Sequence, residues 1–144
     1  MDEIDQHILS ILQGNARISM TDLGKRVGLS TPATNERVKK LEEKEIIKGY
    51  RAVIDPEKLN KKVTAFILFD TKRGKQFRTF CKDQSVVLEC HRLAGQYSYL
   101  VKVVTESVSL LEEFIDAALA FGEPSTLVKL STVVEHKSIF DDIL

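Results

Sequence analysis

The chain has 144 residues, 43% of them hydrophobic and 29% charged, which is enough for one or two small domains with buried cores. Lys and Arg number 21 and Asp and Glu also 21, so a general polyanion-binding tail is excluded and any attraction to nucleic acid has to be local. No apolar run approaches membrane-spanning length, and Met1-Asp2-Glu3-Ile4-Asp5 is acidic where a signal peptide is basic, which predicts a cytoplasmic protein without a membrane partner.

The first predicted element is a helix in DEIDQHILSILQGNA, with Ile4, Ile8, Leu9, Ile11 and Leu12 as its apolar stripe and Gly14-Asn15 as its stop. His7 lies among polar neighbours and reads as solvated surface. From Ser19 to Leu41 two short helical patterns follow, joined by Val27-Gly28-Leu29-Ser30. In such a turn glycine takes the left-handed conformation that ends one helix, and serine caps the next. Ser19 is the expected cap of the first, with Asp22 in the capping-box position and Met20, Leu23 and Val27 on its inner face. In the second, Thr34, Val38 and Leu41 recur at helical spacing and face inward, leaving Pro32, Ala33, Asn35, Glu36, Lys39 and Lys40 facing or flanking the outside.

An outer face that is small and polar first and basic later suits a helix-turn-helix whose second helix enters a major groove by its N-terminal end. An ordinary helical hairpin has the same two helices. Local charge favours DNA: between Arg17 and Arg51 the cations Arg17, Lys25, Arg26, Arg37, Lys39, Lys40, Lys44, Lys48 and Arg51 outnumber the acids Asp22, Glu36, Glu42, Glu43 and Glu45. The candidate DNA-contacting set is Lys25, Arg26, Ser30, Thr31, Pro32, Ala33, Asn35, Glu36, Arg37, Lys39, Lys40 and Lys48. Lys39 and Lys40 suit phosphate. Ala33, Asn35 and Glu36 suit base edges, Asn35 being able to pair with adenine in two hydrogen bonds. Glu36 also stands four residues before Lys40, the orientation that stabilises a helix.

Ile46 to Ile54, IIKGYRAVI, is strand-like in composition and reads as an extended connector, punctuated by Asp55-Pro56. From Val63 the pattern becomes strand, helix, strand, strand, helix, strand. VTAFILFD is the first strand, Gly74 to Asp83 a short helix, and VVLECHRL and YSYLVKVV are strands separated by Ala94-Gly95-Gln96. Ser107 caps an amphipathic helix to Phe121 that turns Leu110, Leu111, Phe114, Ile115 and Ala118 inward. Gly122-Glu123-Pro124 stops it, and TLVKLSTVV is the last strand. Cys81 and Cys90, without a CxxC pair or ligand-spaced histidines, read as buried reduced thiols rather than a disulfide or metal site.

The predicted fold class is therefore α+β, a three-helix helix-turn-helix domain followed by a βαββαβ ferredoxin-like sandwich. The domains divide at residues 1–50, 51–62 (connector strand and hinge) and 63–144. Such a sheet leaves one face bare, yet Ala65, Phe66, Ile67, Leu68 and Phe69 are consecutively apolar, and Leu100, Val101, Val103 and Val104 nearly so. Burying one such side chain is worth about 1.5 to 3 kcal/mol, so a second copy is expected to cover that face. A dimer also sets two recognition helices on one duplex. Catalysis is disfavoured: Cys90 and His91 point to opposite strand faces, and no Ser/His/Asp set, phosphate-binding glycine loop or metal spacing occurs. No cofactor is expected.

D5xxIL, NARIS, DLGKRVGLS and RVKKLEEKEIIKGYRAVIDPEKL stand in the order and spacing of the Lrp/AsnC family of leucine-responsive and related regulators, the feast/famine proteins, which the chain resembles over its whole length. AGQYSYLVKV looks like that family's Gly-x-Tyr-Asp-Tyr loop and following strand. The resemblance implies a winged-helix-like DNA-binding domain joined to a ligand-responsive βαββαβ domain, and homodimers that assemble into octamers. It also implies transcriptional regulation with bending or wrapping of DNA in the nucleoid. An amino-acid effector would then lie at Gly95, Gln96, Tyr97, Ser98 and Tyr99. Three residues depart from the family: Gly24 replaces an alanine, Gln96 an acidic neighbour, and Ser98 the aspartate. A serine offers no carboxylate to an amino acid's ammonium group. An effector-independent architectural DNA-binding protein is the alternative function, and a small ferredoxin-like enzyme a remote one.

Overall fold

The computed structural model describes residues 1–140, and the chain divides into two compact units, Met1–Val53 with the residues from Val133 onward, and Ile54–Thr132. In the first unit α1 spans Glu3–Gly14, α2 Met20–Val27 and α3 Thr31–Glu43. Each start is capped by the residue before it: Asp2 accepts from the Asp5 N–H, Ser19 from Asp22 and Ser30 from Ala33. Gly28 ends α2 with φ of 72°, in the left-handed region. The turn is tight. A Cβ on Gly24 would lie 2.7 Å from both the Leu29 carbonyl oxygen and Thr34 Oγ1, so glycine is what lets α2 approach the start of α3.

The core of this unit is Ile8, Leu9, Leu12, Leu23, Val38 and Leu41, with Ile4, Ile11, Met20, Val27, Ile47 and Phe140 against it. His7 is half-buried rather than solvated. Two expectations are corrected here. The connector is not a strand: residues 46–62 hold only the 3-10 turn Glu57–Leu59, and Val53 and Ile54 are 75% and 63% exposed. A strand needs a neighbour to satisfy its amides, and composition alone supplies none. The end of the chain does not extend the sandwich either. Gln13 Oε1 accepts from Ser138 Oγ at 2.9 Å and from the Ile139 N–H at 3.2 Å, and Phe140 packs on the helical core.

In the second unit β1 is Val63–Asp70, α4 Gly74–Asp83, β2 Val87–Arg92, β3 Tyr99–Thr105, α5 Val108–Ala118 and β4 Glu123–Val128. They form a four-stranded antiparallel sheet in the order β2-β3-β1-β4. Ala65, Ile67 and Phe69 of β1 and Tyr99, Val101 and Val103 of β3 pack on Phe77 and Cys81 of α4 and Leu111, Phe114 and Ala118 of α5, so both helices cover one face. The residues between them, Phe66, Leu68 and Leu100, point to the other face and are half-buried there.

Three details differ from the sequence reading. β4 begins at Glu123, not after Pro124, because the strand lies at the sheet edge; Pro124, opposite Phe69, can lack an N–H there without breaking the ladder. α5 ends at Ala118 and leaves Leu110 38% exposed. Cys81 is buried, but Cys90, on the edge strand β2, is exposed.

Candidate nucleic-acid interface

With Thr34, Val38 and Leu41 buried, α3 presents Pro32, Asn35, Glu36, Lys39 and Lys40 to solvent, and Ala33 is half-buried at its flank. Pro32 occupies the first turn, where its missing N–H costs nothing. Thr34 carries the one buried hydroxyl of the helix and returns it to the Ser30 carbonyl at 2.9 Å. Ser30 is occupied as a cap, and Thr31 Oγ1 donates to Thr21 Oγ1 at 3.3 Å across the turn, tying the entry of α3 to α2.

The cations are partly neutralised in place. Lys40 Nζ lies 2.7 Å from Glu36 Oε1, Lys39 Nζ 3.7 Å from Glu43 and Lys25 Nζ 3.8 Å from Asp22, all at the surface. The Lys40 hydrogen bond holds the Glu36 carboxyl below its usual range, and the same bond raises Lys40. These are exposed, salt-screened pairs that a phosphate can displace. Arg26, Lys48 and Arg51 are exposed as well.

Arg37, a member of the sequence-based DNA-contacting set, has its partners at the start of α1. Its Nη1 sits 2.8 Å from Asp2 Oδ2 and 2.9 Å from Asp5 Oδ1, so it holds the N-terminus of α1. Asp2 and Asp5 were absent from the sequence-based set because nothing local links them to a residue more than thirty positions away. Tyr50, in the connector, packs on the flank of α3: its hydroxyl donates to Glu42 Oε1 at 2.8 Å, and burial with that acceptor pushes its pKa up to about 12. Asn35 and Tyr50 line the same cleft beside α3, with Met20 and Lys39.

The second candidate region is the loop from Gly95 to Tyr99. Gly95 and Gln96 are exposed, Tyr97 and Ser98 half-buried and Tyr99 is 3% exposed. Tyr99 is a core residue: its ring lies 5.0 Å from that of Phe77 and its hydroxyl accepts from Arg78 Nη1 at 2.7 Å. Ser98 is a clasp. Its Oγ donates to the Thr71 carbonyl at 3.3 Å and accepts from the Thr71 N–H at 3.4 Å, joining the ends of β3 and β1. An aspartate in the same place could accept from that N–H but would set its carboxylate against the carbonyl. Among the described residues no group of three or more potential metal ligands occurs, and no helix is long and apolar enough to cross a membrane.

Residues 1–48 match the winged helix-turn-helix DNA-binding family, and residues 64–139 match the Lrp/AsnC ligand binding domain. An uncharacterized HTH-type transcriptional regulator of Bacillus subtilis, YezC, is 55% identical over 136 residues, 94% of this chain and 98% of the relative. The structure of B. subtilis LrpC superposes with a TM-score of 0.88 at 31% identity, covering 93% of this chain and 97% of that one. A Neisseria meningitidis transcriptional regulator solved as an L-Met complex superposes with a TM-score of 0.89 at 26% identity over 100% and 99% of the two chains.

Proposed function

The chain belongs to the Lrp/AsnC family of helix-turn-helix transcriptional regulators and is not an enzyme, and from that premise we propose that α3 reads DNA as part of a dimer. The observation that carries the reading is the face of α3 itself: Pro32, Asn35 and Glu36 exposed near its start, Lys39 and Lys40 exposed one turn on, above a buried inner face. Asn35 meets a base edge, and Lys39 and Lys40 leave their acids for phosphates. Lys25, Arg26 and Lys48 add phosphate contacts from α2 and from the segment after α3. The dimer forms through the sheet face that carries Phe66, Leu68 and Leu100, which a second copy would bury. Dimers assemble further into octamers that bend or wrap DNA, as the family resemblance implies.

The test is a DNA shift assay across a salt series with wild-type protein and a Lys39→Ala/Lys40→Ala variant. For two lost phosphate contacts the slope of log affinity against log salt falls by about 1.8 units. An unchanged slope in a folded double variant removes both lysines from the interface.

Amino-acid control is the second layer of the proposal. The match of residues 64–139 to the Lrp/AsnC ligand binding domain, together with a similar regulator solved as an L-Met complex, supports an amino-acid site in the βαββαβ unit. Ser98, engaged with the Thr71 backbone and lacking a carboxylate, favours a weak response to ordinary amino acids. An architectural DNA-binding protein without effector is the second reading, favoured by Ser98 together with the neutral Gln96. Light scattering and shift assays with millimolar amino acids separate the two: an amino-acid-dependent change in mass or mobility supports the regulator with effector.

A further inference from the structure

We propose that Arg37 is a positioning residue, which fixes the angle of α3 against α1 through Asp2 and Asp5 and does not touch DNA. The proposal rests on the reading of α3 as the DNA-contacting helix. Three observations carry it.

First, the acceptors are set before Arg37 arrives. Asp2 and Asp5 form a reciprocal capping box: the Asp5 N–H donates to Asp2 Oδ1 at 2.9 Å and the Asp2 N–H to Asp5 Oδ2 at 3.2 Å. Their carboxylates are thereby held together at the start of α1. Arg37 Nη1 enters that pair with contacts of 2.9 and 2.8 Å to the two oxygens of Asp2 and 2.9 Å to Asp5. That one nitrogen carries two N–H donors, which is enough to bridge both carboxylates.

Second, the donors are already engaged. A phosphate approaching Arg37 would have to displace two carboxylates. Lys39 and Lys40 each have one glutamate within ion-pair distance, on their own helix.

Third, the attachment is placed where it controls direction. Arg37 lies beside the buried Val38, near the middle of the 13-residue α3. A roll of about 10° about the helix axis, which a side-chain tether at mid-helix opposes, moves side-chain tips about 5 to 6 Å from that axis by about 1 Å. That displacement takes a base-edge hydrogen bond out of its narrow distance range while phosphate contacts by long lysines survive. Loss of the clamp should therefore reduce discrimination between sites more than it reduces the number of phosphates bound.

The experiment uses the full chain, a duplex selected by the wild-type protein from a random pool, and a random-sequence duplex. Wild type, Arg37→Met, Arg37→Lys and Asp5→Asn are each measured across a salt series below their melting temperatures. The expected result is an affinity loss of about tenfold on the selected duplex, a smaller loss on the random one and an unchanged salt slope, for all three variants. Asp5→Asn is decisive because the two roles predict opposite signs. If Arg37 touched phosphate, removing a neighbouring carboxylate would raise affinity, Arg37→Lys would keep the contact and Arg37→Met would lower the slope by about 0.9. Those results, with wild-type binding intact, overturn the positioning role alone. Equal losses on both duplexes also overturn it, since they mark a merely structural residue. Where Arg37→Met does not fold, Asp5→Asn and Arg37→Lys still decide the sign. A wild-type chain that binds neither duplex overturns the reading of α3 and this inference with it.

Discussion

Replacing Phe140 by alanine should destabilise the helical unit by about 2 kcal/mol, although the residue lies more than 120 positions along the chain from the α1 cluster it packs against. A phenylalanine side chain buries about 200 Å² when fully covered. Phe140 is mostly covered, against the cluster of Ile8, Leu9 and Leu12, so about 130 Å² or more is withdrawn from water, worth about 3 kcal/mol at 25 cal/mol per Å² and about 2 once the retained Cβ is subtracted. For a unit of this size that shifts its midpoint by roughly 8 to 16 °C. Gln13→Ala, which removes the acceptor for Ser138 Oγ and the Ile139 N–H, should cost a further loss of about 1 kcal/mol alone, and less than that in the double variant because the contacts are shared. Hydrogen exchange read by mass spectrometry resolves the location: amides of Ile8–Leu12 should lose protection while those of β1 and β3 keep theirs. Unchanged protection of α1 in Phe140→Ala would refute the docking of the chain end on the helices.

Asn35→Ala should reduce discrimination among DNA sites more than total affinity, and an equal loss on selected and random duplexes would remove Asn35 from the base edges. A thiol-alkylating reagent should label Cys90 well before Cys81, whose thiol is buried and pushed up to about 12; simultaneous labelling would contradict the packing of α4 on the sheet. The carboxyl of Asp2 is held below its ordinary value of 3.8 by the Asp5 N–H and then by Arg37, so its contribution is present above that value and lost as pH falls through the lower folded one. Melting temperatures of wild type and Asp2→Asn should accordingly converge in acid; a gap that stays constant with pH would exclude the clamp as its source. Ser98→Asp should lower the stability of the βαββαβ unit by roughly 1 kcal/mol, because the donor to the Thr71 carbonyl is replaced by an acceptor. A gain of amino-acid response in that variant would place the carboxylate in effector recognition, and no loss of stability would disprove the clasp.

What the sequence disclosed here was governed by range. The bounds of α2 and α3 follow from Ser19, Gly28 and Ser30, whose effect is exerted on amides within four residues, and the inner faces follow from spacing along one helix. The run VTAFILFD likewise coincides with β1, since a strand buried at the centre of a sheet is marked by its own composition. β4 was misplaced because Pro124 carries the same local signal whether it ends a helix or lies on an edge strand, and only pairing with β1 distinguishes the two. Composition likewise could not tell that Ile46–Ile54 lacks a neighbouring strand.

The candidate site divides along the same line. Exposure on α3 was readable from the position of Thr34, Val38 and Leu41. The role of a cation was not, because it depends on which acids fold back upon it. Glu36 is four residues from Lys40 and its pairing was foreseeable from helix geometry; Asp2 and Asp5 meet Arg37 only after α1 has packed across α3. A count of basic residues therefore overstates the charge open to phosphate by whatever tertiary pairing takes from it. In this unit that correction falls on the arginine at mid-helix, beside the core, while the lysines nearer the end of α3 keep partners on their own helix. A lysine that exchanges an exposed glutamate for a phosphate leaves the fold unchanged. Arg37 would have to release two carboxylates at the start of α1 to do the same, which is why the proposed phosphate contacts are lysines paired on their own helix and cations such as Arg26 and Lys48 rather than Arg37.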